Sequence, residues 1–576
     1  MATVSLTSAP GPTGHIRQDR YDVVVVGGGP VGLAAAIELG SRQLTVLLVD
    51  RDDGMIRYPT AESIDVASME LLRRWGMAQL VEHSGFPVDA PRDIAFVSRM
   101  SGHELARFPR PSNADRRHTS HGLSPEGGVW WPKFWFDPAL RACAGTEPTV
   151  ELRYQWRCES FEDSAGPGGD PGEGALDNGD SSGHVEVRLR SARYGPKLVR
   201  ARYLVACDGA SSPIRRALGI ASVRDSPEAR ARWQGAFVRL AGLRERTAHA
   251  PAVQYYLINP RRMILGSLDG ADLWRVTYPL RDGEAPTADD VRDTVADALD
   301  REPGSVEVLD TREWSGDAVV AETFRSGRVL LAGDSAHRMW PSGGHGMNTG
   351  LGDVANLGWK LEAVLRGWAP ASLLDTFTTE RRPHCESMIR RAWHNYRADL
   401  ALRPDPALDD PQRCTERDAI SRQIHATRAS EWRSLDAQLG VNHANSPLVI
   451  ADRTREPAEG VVLTTQPGHR APHITLPDHT STLDLCRGRF TLLQLTPTAD
   501  SGGLAQTLRK RGFPVDEYRI GAPEVHAVYR HALALVRPDG ILAWRADTAP
   551  ENPERVVDQL TGHVETDRQS LGHGPR

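Results

Sequence analysis

An apolar run at 21–26 passes straight into Gly27-Gly28-Gly29-Pro30-Val31-Gly32, and an Ala/Leu-rich helical pattern follows to about Gly40. A second apolar run, 45–49, ends at Asp50. Strand, glycine turn, helix and strand in this order predict a βαβ unit at the start of the chain. Residues 62–75 read as a helix with one charged and one apolar face. Runs 150–156 and 184–190 alternate as strands around the segment 163–183, whose Gly, Asp, Pro and Ser cannot bury a core, so an elongated hairpin with a floppy tip is predicted. Another strand, 200–206, leads into Cys207-Asp208-Gly209. Strand-like segments 252–258 and 273–278 follow in a mixed region. An apolar strand at 328–332 stops at Gly333-Asp334, a long helix is predicted from about Asn348 to Arg366, and helical segments continue to about Gln438. A Pro- and His-containing stretch, 442–472, separates off a last unit with strand 490–495, helix 503–511, strand 516–520 and a hairpin around Pro538-Asp539-Gly540.

Composition narrows the class. The chain has 576 residues, 40% hydrophobic and 25% charged, which fits a multi-domain globular protein and excludes a fibrous or wholly disordered one. A net charge of −6 argues against a protein built to neutralise nucleic-acid phosphates. The six cysteines are scattered, with neither a C-x-x-C pair nor zinc spacing, so no metal site and no disulfide framework are expected. The N-terminus lacks a basic start and an apolar core, and the most apolar stretch, 23–39, is broken by four glycines and a proline. A soluble, cytoplasmic protein without a membrane partner is expected.

Gly27, Gly29 and Gly32 form G-x-G-x-x-G between a strand and a helix. The first glycine permits the turn, the second lets backbone approach a pyrophosphate, and the third lets helix and strand pack closely. The helix, opening at Pro30, then presents its positive end to phosphates. Asp50 lies 23 residues after Gly27, near the spacing of an acid that bonds a ribose hydroxyl. The motif alone does not separate NAD from FAD, and a glycine turn without a ligand is its bland alternative. Gly333-Asp334 at a strand end can place a carboxylate against a ribose or ribitol hydroxyl. Gly343-Gly344-His345-Gly346-Met347-Asn348 reads as a glycine turn opening a helix, whose free N–H groups suit an electron-rich ligand edge. By itself Asp208-Gly209 is a turn.

Taken together, and in this order, these blocks resemble the FAD-dependent aromatic hydroxylases of the para-hydroxybenzoate hydroxylase type. The family's first motif matches 27–32, its D-G-x-x-S-x-x-R matches Asp208, Gly209, Ser212 and Arg215, its G-D matches Gly333 and Asp334, and its G-G-x-G-M-N matches 343–348. Glu380-Arg381-Arg382-Pro383 matches the helix that follows, and 535–545 resembles the closing hairpin of the thioredoxin-like domain in larger members. The resemblance implies an α/β fold: a Rossmann-type FAD-binding domain (20–93, 127–222 and 316–405), an interleaved mixed-sheet substrate domain (94–126 and 223–315), a helical linker (406–450) and a thioredoxin-like domain (451–565). Loose tails are expected at 1–19 and 566–576. Lacking C-x-x-C, the last domain is expected to serve packing or dimer contact rather than redox chemistry.

The resemblance also implies bound FAD, transient NAD(P)H with NADPH favoured, O₂, and a small aromatic or polycyclic substrate hydroxylated through a flavin C4a-hydroperoxide. It assigns FAD contacts to Gly27, Gly29, Pro30, Gly32, Asp50 and Arg51, to Asp208 and Arg215, to Gly333 and Asp334, and to Gly344, Gly346, Met347 and Asn348. Three positions depart from the pattern. Thr60 stands where an arginine usually touches FAD, Lys133 where a glutamine lies near the flavin, and Trp340 where the first of two prolines precedes the glycine turn. Lys133 is read as replacing the lost cation. His345, Trp340 and Pro341 are the candidates beside the reaction, His345 for proton exchange with a phenol and Trp340 with Trp135 as walls of an aromatic pocket. Arg338 is read as structural or surface. Of Tyr255 and Tyr256, one should face in and one out. Baeyer–Villiger insertion, epoxidation and oxidative decarboxylation on the same scaffold remain open, as does a flavin-loaded partner protein without catalysis.

Overall fold

The computed structural model describes residues 10–58, 60–164, 183–224, 231–403, 405–452 and 464–563. Its organising sheet is parallel at the centre. Strand Arg20–Val26 lies between Val46–Asp50 and Gly195–Ala206; Val150–Tyr154 pairs outside Val46–Asp50, and Val329–Leu331 outside Gly195–Ala206. Val23, Val24 and Val25 are fully buried, as expected for strands covered on both faces. Register is what matters for the site. Val26 pairs with Val49 and Ala206, and Ala206 with Leu331. The turns beginning at Gly27, Asp50, Cys207 and Ala332 are thereby brought to one edge, the carboxyl ends where α/β sheets bind ligands.

Several boundaries differ from expectation for local reasons. The helix read at 62–75 starts at Val66, because Asp65 is extended and its carboxylate accepts from the Ser68 N–H, while Ser63–Ile64 pairs with Val129–Trp130. Val150–Tyr154 belongs to the parallel sheet; the hairpin is formed by Arg157–Asp163 and Val185–Ser191, after a left-handed turn at Gln155 (φ 61°). Most of the segment between them lies outside the described residues, as do 1–9 and 566–576. Residues 10–19, expected as a loose tail, pack along the sheet. Ile16 is buried, and Pro12 O, Gly14 O and His15 O accept from Tyr154 N, Trp156 Nε1 and Arg153 Nε.

A second, seven-stranded sheet is built from Glu307–Gly316, Ala231–Arg239, Leu273–Pro279, Ile264–Ser267, Gln254–Leu257, Ile94–Val97 and Glu104–Phe108 in spatial order. Tyr255 packs with Trp274 in the core on one face, whereas Tyr256 stacks on Phe96 on the other.

Helices His345–Leu365 and Asp375–Ala401 lock the first sheet through buried charge. Asp353 accepts from Gly333 N (3.0 Å), His337 Nε2 (2.7 Å) and Arg381 Nε (2.8 Å). Burial alone would raise the Asp353 carboxyl; His337 and Arg381 outweigh it and hold it at about 2. His337, Asp353 and Cys385 lie close together, but these bonds already engage both Asp353 oxygens.

The C-terminal unit is a four-stranded sheet, with Phe490–Gln494 parallel to Val515–Arg519 and antiparallel to Leu533–Val536, which pairs with Leu542–Ala546. It shares a core with the long helix, where Trp359 meets Phe490 edge-on at 5.9 Å. At this junction Glu380 accepts from Arg537 Nη1 (2.6 Å), Arg537 Nη2 (2.9 Å) and Lys360 Nζ (2.7 Å). All three charged side chains are fully buried. Burial opposes ionisation of Glu380, yet Arg537 and Lys360 hold its carboxyl well below the usual range. The unit thus packs against the long helices of the same chain. Removing one partner strands the other charges in a low-dielectric site. Arg537→Met is expected to lower stability by about 3–5 kcal/mol, read as a fall in the urea midpoint; a loss under about 1 kcal/mol would mean that the network contributes little.

Candidate active site

The site begins with steric necessity at the first turn. Gly27 is left-handed (φ 116°), and a Cβ there would lie 2.1 Å from Cys207 O; one on Gly32 would lie 1.8 Å from Gly27 O. No other residue type lets strand, helix and the neighbouring turn approach this closely. Gly29 differs, since a Cβ there would meet nothing within 4 Å. It lines an open cavity together with Pro30 and Gly32. The helix Pro30–Gly40 has no side-chain cap and no acid in its first turn, so its leading N–H groups and positive dipole end are unneutralised by protein.

The acid after the second strand braces the glycine turn. Asp50 accepts from Gly28 N (2.5 Å) and Asp52 N (2.7 Å), which fixes the glycine turn, and it does not line the cavity. The Arg51 side chain is exposed, pairs with Asp52 at 3.7 Å and is also absent from the cavity wall. The third block closes on itself. Asp208 accepts from Ile214 N (3.0 Å), Ser212 caps the helix Pro213–Ala217 through Arg215 N, and Arg215 Nη1 donates to Ile220 O. The other Asp208 oxygen is buried and unpartnered, while Gly209 and Ala210 face the cavity.

Asp334 is exposed in the cavity, and desolvation by the surrounding protein raises its carboxyl despite the opposing pull of His337, Arg338 and Lys133. Gly343 and Gly344 are both left-handed (φ 95° and 67°), which turns the chain into the helix His345–Leu365. Asn348 staples this turn: its Nδ2 donates to Gly344 O (2.7 Å) and Ser63 O (3.1 Å), and its Oδ1 accepts from Asp65 N (3.1 Å). Gly346 and Met347 remain on the cavity wall.

These turns open on one cavity of about 1080 Å³. Trp130, Trp233, Trp314, Trp340, Tyr256 and Tyr396 make much of its wall aromatic. Trp340 stacks on Tyr396 (3.7 Å, 7°) directly over Gly316, where a Cβ would meet the indole at 2.2 Å. Trp135, expected on this wall, instead bonds Leu268 O (2.9 Å) beside the cavity. Arg338 lines it and pairs with Asp317 at 3.2 Å. Burial pushes His345 down to about 4, so its imidazole is neutral near pH 7, and its Nε2 is unpartnered. Lys133 reaches the cavity at the start of helix Lys133–Thr146 and pairs with buried Asp137. Thr60 and Pro341 also line it.

One wall was missed by sequence reasoning. The helix Cys414–Trp432, within the supposed linker, supplies Arg428, Glu431 and Trp432. Arg428 pairs with Asp399 (2.8 Å) and Glu431 and lies over the Tyr256 ring at 5.3 Å. The available signal was burial at Ile424, Arg428 and Glu431, a 4-then-3 spacing on an otherwise polar helix.

Comparison with known proteins decides the family. Residues 20–392 match the FAD binding domain family, and 464–564 match the aromatic-ring hydroxylase C-terminal family. The chain belongs to the FAD-dependent aromatic-ring hydroxylases. It is 30% identical to the tetracenomycin B2 monooxygenase-dioxygenase of Streptomyces olivaceus, over 94% of this chain and 98% of that one. Among solved structures, the rebeccamycin biosynthetic enzyme RebC with reduced flavin superposes with a TM-score of 0.83 at 36% identity, covering 95% and 100% of the two chains. A ternary complex of aklavinone-11 hydroxylase with FAD and aklavinone gives 0.77 at 28%, covering 95% and 100%. As a member of this family the chain is an FAD-dependent monooxygenase with a mixed α/β fold.

The residues present fit FAD: an uncapped helix end beside an open glycine, a buried orphan oxygen on Asp208, and Asp334 facing the cavity. Lys133 is a lysine on this wall, pairing with Asp137. Lys133→Ala is expected to lower FAD retention after gel filtration several-fold, measured from the absorbance ratio of flavin to protein; unchanged FAD content would remove Lys133 from the cofactor site.

Proposed function

We propose that this hydroxylase uses NADPH, in preference to NADH, and O₂ to hydroxylate a polycyclic aromatic molecule. One observation carries the reading: the nucleotide turns and a broad aromatic-walled chamber are a single continuous cavity. Its about 1080 Å³ slightly exceeds the usual range for small-molecule sites, which suits FAD's ring system and a fused-ring ligand side by side. Relatives whose names include tetracenomycin and aklavinone act on molecules of that kind.

In this reading the helix end at Gly29 and Pro30 takes the pyrophosphate of FAD, with Gly27 and Gly32 permitting the approach. Asp208 and Asp334 accept from hydroxyls of its sugar and ribityl portions, and Arg215 holds the turn that positions Asp208. The N–H groups of Gly344, Gly346 and Met347, held in place by Asn348, sit at the electron-rich edge of the ring system, where a helix N-terminus favours negative charge. Gly333 lets the strand end approach, and Asp50 acts by fixing Gly28. Bound FAD supplies the redox chemistry, accepting hydride from the reduced nicotinamide and delivering electrons to O₂, so that one oxygen atom enters the ring and the other leaves as water. The protein's part is to orient the substrate and exclude water. Trp340, Pro341 and Tyr396 pack one side, and neutral His345 is a proton acceptor for a ring hydroxyl. The six cysteines are free, in keeping with a reducing cytoplasm, and among the described residues no helix is long and apolar enough to cross a membrane.

The test is a screen of polycyclic phenols and quinones for stimulated NADPH oxidation, followed by mass spectrometry under ¹⁸O₂. The expected product is heavier by one labelled oxygen, with NADH less efficient by about tenfold or more. A product gaining oxygen within an opened ring, or losing CO₂, would replace hydroxylation by another oxidation; NADPH consumption unaffected by every aromatic compound would contradict the reading.

A further inference from the structure

The cavity carries a cation that the redox chemistry leaves unused. Arg110 follows the strand Glu104–Phe108 and lines the chamber between Pro109 and Pro111, with His118, Thr119 and His121 beside it. Among the described residues its guanidinium makes no hydrogen bond or ion pair. The nearest candidate acid is already engaged. Asp93 accepts from the Arg110 backbone N–H (3.0 Å) through one oxygen and pairs with Arg107 (3.0 Å) through the other. Burial lowers the Arg110 pKa, and no charged neighbour offsets it.

A second, independent feature sits behind it. Arg92 is buried (1% exposed) and donates Nη1 to Gly128 O (2.8 Å), while Nε and Nη2 are left without partners. Arg110 and Arg116 both oppose its charge. Arg116 is compensated by Glu126 at 3.7 Å and Glu82 at 3.9 Å; Arg92 and Arg110 have no carboxylate of their own. Elsewhere on the wall Glu62 pairs with Arg275, Asp399 and Glu431 with Arg428, and Asp317 with Arg338, while Asp65 caps a helix and Asp334 lies at the nucleotide turns. Arg92 is buried and Arg110 is half-buried against the cavity, their charges oppose each other, and among the described residues neither has a counter-charge; a bound anion at Arg110 relieves that cost. Arginine's planar fork favours a carboxylate, which it can hold through two parallel bonds.

Building on the proposed function, we infer that the substrate is an aromatic acid whose carboxylate is anchored by Arg110, with Arg92 raising the potential behind it. This makes Arg110 a specificity-determining residue on the substrate rather than a cofactor contact.

The probes are pyrene-1-carboxylate and the uncharged, near-isosteric pyrene-1-carboxamide, each measured by equilibrium dialysis against the full-length protein with FAD supplied and with FAD withheld, without nicotinamide. Wild-type protein is expected to bind the carboxylate at least about tenfold more tightly than the amide. Arg110→Met should bring the two within about twofold while amide affinity stays unchanged, which also reports intact folding, and Arg110→Lys should keep part of the preference. Equal binding of both probes by wild type, retention of neither, or a preference that survives Arg110→Met would overturn the proposal. So would an Arg110→Met variant whose KM rises for NADPH but not NADH with the probe ratio untouched, since the anion would then be the dinucleotide's phosphate. Failure to retain FAD alongside an Arg110-dependent carboxylate preference would strike the proposed function and leave the anion site standing.

Discussion

Everything at the site depends on one close approach. The first parallel strand ends against its neighbour so tightly that Gly27 touches the Cys207 carbonyl, and Gly32 of the following helix sits on the Gly27 carbonyl. That contact fixes where the helix starts, and therefore where its uncapped N–H groups point. It also sets the height at which the Asp208 and Asp334 turns arrive, because hydrogen-bond register ties Val26 to Ala206 and Ala206 to Leu331. A helix–strand unit spaced even an ångström further apart would still be a βαβ fold, but its turns would not share one cavity edge.

Buried charge then converts this edge into a rigid frame. Asp353 holds Gly333, His337 and Arg381 at once, so the strand end bearing Asp334 and the helix opening at the Gly343-Gly344 turn move as one piece. Glu380, the residue next to Arg381, does the same for the C-terminal unit through Arg537 and Lys360. Adjacent residues of one helix thus join the cofactor edge to the remote sheet. The carboxylates at both centres are held ionised despite complete burial. The chamber beyond this frame has a largely aromatic wall, on which Arg110 carries a guanidinium without an ion pair among the described residues.

The extent to which the chain's function could be read in advance follows from sequence distance. The turns at 27–32, 208–215, 333–334 and 343–348 were legible because each is a local steric or capping device whose residues lie within a few positions of each other. The C-terminal strand–helix–strand–hairpin order was legible for the same reason. Spacing alone could not show that Asp50 also holds Gly28 N and Asp52 N. Residues 10–19 lacked any periodic pattern, since what orders them is the edge of a strand more than 130 residues away. The wall supplied by Arg428, Glu431 and Trp432 was invisible, because its partners Asp399 and Tyr256 come from other parts of the chain. Arginines read as ordinary surface charge in a sequence with few lysines, and only tertiary contacts separate Arg110, which pairs with no acid among the described residues, from Arg107, which has two.

The account is tested most directly by a crystal structure of the protein grown with saturating FAD. It predicts the pyrophosphate within hydrogen-bonding distance of the backbone N–H groups opening the helix at Pro30, with the ring system beside Gly344–Met347 and the aromatic chamber open beyond it. FAD density at any other place on the molecule, or a pyrophosphate held away from that helix end, would contradict it.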